Sequence, residues 1–261
     1  MHPALRISIT GLEAQNTDIR TISNNLANVS TTGFKKDRAV FQDLLYQNIR
    51  QPGADSSQNS QLPSGLMLGT GVAVMASQKM HSQGTMVQTE NPLDLAINGR
   101  GFFQIMRPDG TTAYTRDGHF QLNSQGQIVT PSGYQLIPSV TIPTSAQTIT
   151  IGQDGIISAM LSGNSSPTQV GTLQLADFIN PAGLQPMGEN AFLESGASGS
   201  PQVTIPGQQG VGSLLQGSLE SSNVNVVEEL VRMIETQRAY EMNARSVETV
   251  NKMLEFVTQV L

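Results

Sequence analysis

Apolar positions recur at helical spacing at both ends of the chain and at strand spacing between them. From Leu5, steps of four and three give Ile9, Leu12, Asn16, Ile19, Ser23 and Leu26. Five of those seven are apolar, a heptad seam over about three repeats. From Val226 the same step gives Leu230, Met233, Gln237, Tyr240, Ala244, Val247, Asn251, Leu254, Thr258 and Leu261, eight of the eleven apolar over about five repeats. A second row, Val250, Met253, Val257 and Val260, widens the apolar face in the last turns. Asn225 is placed to cap this helix, with Glu228 at the third position as in a capping box. Glu228 and Glu229 also suit the positive end of its dipole. Run to Leu261, it would be about 54 Å long. The first helix is expected to close in a Schellman cap, with Gly33 in the left-handed position and Phe34 packed on Val29. The other reading ends the helix at Asn28 and makes the rest a turn.

Between the seams no helical period survives. Turn dipeptides recur instead at Asn98-Gly99, Asp109-Gly110, Asp117-Gly118, Gln125-Gly126, Ser132-Gly133 and Asp154-Gly155. The pieces between them, "FFQIM", "HFQL", "QIVT" and "TITIGQDGIISAM", read as short strands of an antiparallel meander, and "VGTLQLADFI" adds another. The expected fold is therefore α+β: N- and C-terminal helices pairing as a coiled coil around a central, mainly antiparallel β domain. The expected divisions are a discontinuous helical core (1–32 and 223–261), an extended connecting region (33–85 and 196–222) and a β domain (86–195).

The end of the first helix is a poor helix former. Thr, Ser, Asn and Val cost about 0.5–0.7 kcal/mol each relative to Ala, so "TISNNLANVS" carries a deficit of several kcal/mol. Burying one Leu or Ile returns roughly 1.5–3 kcal/mol, so a covered seam could hold it. The C-terminal helix is one cover, yet it offers more apolar surface than one short seam can use. The remainder calls for other molecules. Gln237, Asn251 and Thr258 interrupt the second seam as polar residues do where packed helices must fix register.

Composition narrows the chemistry. The 261 residues carry a net charge of −6 and no basic footprint, which argues against nucleic acid. There is no Cys, which removes disulfides, thiol catalysis and cysteine metal sites. Charged residues make up 13 % and aromatics 5 %, with 25 Gly and 13 Pro, a mix suited to strands and turns. Arg6 and Glu13 interrupt any secretory-signal core, and no run is long enough to insert in a membrane. His2, His81 and His119 show no metal spacing and read as surface or turn residues. "NGRGFF" lacks the third glycine of a dinucleotide loop. Asp94, Asp109, Asp117 and Asp154 could be imagined as paired carboxylates, but three of them sit in turn signals, where Asp serves the backbone. The expectation is no enzyme, no cofactor and no metal. On residues alone two other classes stay open: an oligomeric envelope adhesin, which would close at a fixed size, and a glycan-cutting enzyme, which would need an acid pair in a cleft.

"NNLANVSTTGFK", "DLAINGRGFFQI", "YTRDGHFQLNSQGQIVTPSGY" and "GSLESSNVNVVEELVRMIETQRAYEMNARSVETVNKML", in that order, resemble the flagellar rod and hook family over essentially the whole chain. The stretch 46–71, "YQNIRQPGADSSQNSQLPSGLMLGTG", resembles the distal rod members rather than the proximal or hook-type ones. The resemblance implies a structural subunit of a hollow, rigid axial tube. Leu5, Ile9, Leu12, Ile19, Leu26, Val226, Leu230, Met233, Tyr240, Ala244, Val247, Leu254 and Leu261 would form its inner helical core. Val29, Gly33 and Phe34 would make the cap and hinge. Gln51, Pro52, Gly53, Ser60, Leu62, Pro63 and Gly65 would belong to a segment that stiffens the rod. Implied partners are further copies of the chain, proximal rod proteins, the hook protein, the ring proteins of the peptidoglycan layer and outer membrane, and the flagellar type III export apparatus. The implied location is the basal body, from periplasm to outer membrane, reached without a cleaved signal.

Overall fold

The computed structural model describes residues 3–52, 55–57, 60–61, 64–162 and 166–260. The chain forms two compact units. A helical unit takes the chain up to Leu26, Asp37–Gln78 and the chain from Asn225 on; a β unit takes Ala27–Lys36 and Lys79–Val224. Residues 196–222, expected among the connecting segments, thus lie in the β unit, and 37–78 lie with the helices.

The helical unit contains α1 (Pro3–Ala27) and α2 (Val226–Val260). Asn225 caps α2, its side-chain oxygen accepting the Val227 N–H at 3.1 Å and the Glu228 N–H at 3.4 Å. The expected Schellman cap on α1 is not present. The helix stops at Ala27. Gly33 does adopt a left-handed conformation (φ 67°), but its N–H donates to the Glu220 carbonyl at 2.7 Å rather than back into α1. Phe34 N–H turns instead to Thr31 at 3.3 Å. The run of asparagine and hydroxyl residues after Ala27 thus makes a turn, as its low helix propensity favours.

Strands Asp37–Asp43 and Val72–Lys79 pair with each other, and the chain between them forms a ribbon. Gln47–Arg50 runs antiparallel to Leu66–Leu68, and Asp55–Ser57 to Ser60–Gln61 further along.

The β unit is built on a nine-stranded sheet among the described residues. Its centre is Phe102–Met106, which pairs antiparallel with Gln135–Ile137, Thr112–Thr115 and Leu175–Asp177. Side chains alternate across this sheet, so both faces carry apolar residues. Phe103, Ile105 and Leu175 point into the main core with Leu95, Ile97, Phe120, Leu136, Ile157 and Leu214. Phe102, Tyr114, Ala176 and Phe192 point the other way, onto Phe178 and Leu184. A second sheet, Ala146–Ile151, Ile156–Leu161 and Thr168–Thr172, turns through Asp154-Gly155, with Gly152 and Gly155 N–H groups closing the loop. Leu95–Asn98 pairs with Ser213–Gln216 and Met86–Gln88 with Ser218–Glu220, joining the two ends of the unit's own sequence.

Candidate assembly surface

The two helices lie antiparallel, and the contact between them is polar. Asn25 is fully buried; its amide donates to the Asp37 carbonyl at 2.9 Å and to Glu229 Oε2 at 3.2 Å. Asp18 accepts from Arg232 at 3.2 Å and from the Thr236 hydroxyl at 3.2 Å. A Cβ on Gly11 would come within 3.0 Å of the Asn243 amide nitrogen, so a larger residue there would require that side chain to shift. Descending α1 by sevens, 25, 18, 11, matches ascending α2 by sevens, 229, 236, 243. The paired positions are spaced by seven on each helix and carry Gly, Asp, Asn, Glu and Thr.

The apolar seams fall one residue further along each helix, rotated about 100° from this contact. Among the expected core residues, Leu5, Leu12, Ile19, Leu26, Met233 and Val247 are half-buried. Ile9, Val226, Leu230, Tyr240, Ala244 and Leu254 are exposed, and Leu261 lies outside the described residues. Gln237, Asn251 and Thr258, expected to set register, are exposed too. Register is set by Asn25, Asp18 and Glu229 instead. Their spacing was visible in the sequence, but a search for apolar seams passes over it.

Outside the helix contact the unit is short of core. Its buried apolar residues are Ala14, Ile22 and Ala39 among those described. Against these stand Val227 (70 %), Met242 (65 %), Phe256 (68 %), Leu45 (90 %) and Ile49 (60 %), with Val231, Ile234, Met253, Leu66, Met67 and Leu68 also exposed. The ribbon carries several of them. Of the residues expected to stiffen the rod, Gln51 and Pro52 are exposed beside the strand Gln47–Arg50, Gly65 precedes the strand Leu66–Leu68, and Ser60 opens the strand Ser60–Gln61. Gly53, Leu62 and Pro63 lie outside the described residues. A two-stranded ribbon is marginal in water by itself, and apolar exposure on this scale marks a contact surface.

The β unit differs sharply. Residues following α1 are pinned into it by a buried ionic cluster. Lys35 Nζ lies 2.6 Å from Glu220 Oε1 and donates to the Ser82 carbonyl at 2.7 Å, and both charged side chains are fully buried. Arg116 approaches Glu220 Oε2 at 3.6 Å and donates to the Gly99 carbonyl at 2.5 Å. Burial pulls the Lys35 ammonium below its ordinary pKa, against the opposing pull of Glu220. Gly33 fits here because a Cβ would meet the Arg116 and Asp117 backbone at 2.7 Å. Phe34 is buried under Lys79, whose ammonium sits 5.0 Å from the ring centroid, and Val29 is half-buried.

His81 corrects an expectation. It is not a surface residue but is wedged edge-on between Phe102 and Phe192, ring centroids 5.5 Å apart in each case. Burial, then the charges of Lys35, Arg116 and Lys79, lower its pKa to about 4. His119 binds Asp94 at 3.1 Å, and Asp94 also accepts from Thr89 and Asn91 at 2.8 Å. Asp94 is thus spent on holding a turn. His2 lies outside the described residues. Among the described residues no three acidic or histidine side chains gather as a metal site, and no helix is long and apolar enough to cross a membrane.

Three family profiles match in the order of the chain: flagella basal body rod protein over residues 5–35, the D1 domain of flagellar hook protein FlgE/F/G over 96–159, and the C-terminal region of flagellar basal body rod FlgEFG protein over 215–260. The chain is 53 % identical to the flagellar basal-body rod protein FlgG of Buchnera aphidicola from Schizaphis graminum, across 100 % of both chains. It is 46 % identical to the FlgG of Caulobacter vibrioides over 98 % of each, and 35 % identical to that of Bacillus subtilis over 97 % of this chain and 96 % of the other. With the terminal helices, the central β unit and the full length all matched, the chain belongs to the family of flagellar basal-body rod proteins, structural components of the flagellum.

Proposed function

We propose that this chain polymerises helically into the hollow, rigid distal rod, the shaft that carries torque to the hook and the conduit for exported subunits. The observation that carries this reading is the contrast between the units. The β unit holds a continuous core, while among the described residues the buried apolar side chains of the helical unit are Ala14, Ile22 and Ala39, and apolar residues on both helices are exposed. Such surface gains roughly 25 cal/mol per Å² when covered. In the polymer the seam from Leu5 to Leu26 and that from Val226 to Leu261 meet neighbouring helices as a coiled coil, and Val29, Gly33 and Phe34 form the hinge into the β unit.

The distal assignment rests on the 46–71 ribbon, whose exposed Ile49, Leu66, Met67 and Leu68 supply extra contacts that stiffen the rod. The partners are further copies, proximal rod proteins, the hook protein and the ring proteins of the peptidoglycan layer and outer membrane. The subunit reaches the periplasm through the flagellar type III apparatus, and no cofactor enters. Electron microscopy of the concentrated protein tests the reading. Wild type should give open-ended tubes. Leu230→Asp should give none while its β unit stays folded, because the polymer would bury an unpaired carboxylate. Tubes of normal length from Leu230→Asp would remove this face from the contact.

A further inference from the structure

The antiparallel register leaves α2 longer than its partner. With Gly11 level with Asn243, Pro3 falls level with about residue 251, so residues 252–260 run about 13 Å past the first described turn of α1. On this overhang Met253, Leu254 and Phe256 are all exposed. Near the start of α1, a cavity of about 560 Å³ opens between the helix and the ribbon, lined by Pro3, Arg6, Ile7, Ile49 and Leu68 among others. Ile7, Ile49 and Leu68 are exposed in it.

The electrostatics of the two features are complementary. The first turn of α1 has no acidic residue and the last turn of α2 no basic one, so neither dipole end has a neutralising side chain of its own. The charges present have the opposite pattern: Arg6 near the positive end and Glu255 near the negative end. Neither makes an ion pair within 4 Å among the described residues; the neighbouring Lys252 pairs with Glu248 at 2.6 Å and feels Glu255 only at longer range. The dipole effect fades within a turn, so the stagger keeps one chain from satisfying both of its own ends.

We infer that the α2 overhang of one copy seats in the Arg6–Ile7–Ile49–Leu68 cavity of a second copy, with Glu255 facing Arg6. Met253, Leu254 and Phe256 fill the cavity, and the negative end of one helix meets the positive end of another. Donor and acceptor surfaces differ, so the contact is heterologous and can repeat without closing. It rests on the polymerisation reading and assigns that reading a specific joint.

The absence of native Cys allows a direct test on the full-length chain. Ile49→Cys protein is mixed with Phe256→Cys protein under mild oxidation as assembly proceeds. The expected result is a mixed disulfide dimer at least about tenfold more abundant than from Ile49→Cys with Met242→Cys, an exposed α2 position short of the overhang. Equal yields from the two mixtures in visible tubes would overturn the joint and leave polymerisation standing; absence of tubes from wild type would overturn polymerisation itself. Charge reversal gives a second readout. Arg6→Glu and Glu255→Arg should each cut polymer mass several-fold, and the double variant should restore it. A double variant no better than either single, with unchanged β-unit melting, also overturns the joint.

Discussion

His81 and Glu220 both sit in the β unit among the charges of Lys35 and Arg116. His81 sits against Phe102 and Phe192 with Lys35, Arg116 and Lys79 as its charged surroundings. A folded-state pKa of about 4 against an ordinary 6.5 means that the unfolded chain binds a proton the native chain refuses. Its contribution is complete above pH 6.5 and is lost as pH falls toward 4, amounting to about 3 kcal/mol. Urea titrations across that window should show β-unit stability declining with acid, and His81→Phe should flatten the decline. Glu220 lies between Lys35 and Arg116, with Asp177 acting on Arg116 from further off. Glu220→Gln strands two buried cations and should cost on the order of 3–5 kcal/mol by denaturant unfolding. None of this was legible beforehand: His81 stands alone in sequence, and the sequence separation of Lys35, Arg116 and Glu220 hides a cluster made only by strand pairing.

At the scale of elements, both helices, the cap at Asn225 and the strands around Phe102–Met106 and Asp154-Gly155 could be read directly. Period and turn chemistry act over a few residues, and those residues were sufficient. The helix interface could not be read in the same way. Buried Asn25 and Glu229 and half-buried Asp18 make the helix contact while Leu230 and Tyr240 are exposed, because the strongest apolar stripe of this chain is not what its own two helices share. Asn25→Ala should therefore do more harm than any loss of apolar area at that site suggests. It removes the amide that ties Asp37 and Glu229 to α1 and leaves the Glu229 carboxylate short of a donor. Circular dichroism of the soluble subunit should show lost helical signal with the β spectrum retained, whereas Leu230→Asp should leave both unchanged.

For the whole molecule, the division into units predicts unequal stability. Residues 3–27 and 226–260 have few buried apolar neighbours, while Leu95–Asn98 and Phe102–Met106 lie in the core. Amide exchange on dilute subunit should find the helices exchanging within seconds to minutes and the central strands protected up to the global unfolding free energy. Uniform protection in a verified monomer would show that the helical unit needs no neighbours. The sequence already pointed to this contrast through the helix-poor run ending α1; what it could not supply was the grouping of 37–78 with the helices, which depends on long-range pairing.

The helix pair is stitched by side chains that solvent can also satisfy. Such a seam sets alignment through a few directional bonds rather than through a broad apolar contact. The helix pair thus specifies one alignment through Asn25, Asp18 and Glu229, while most of its apolar side chains stay on the outer flank.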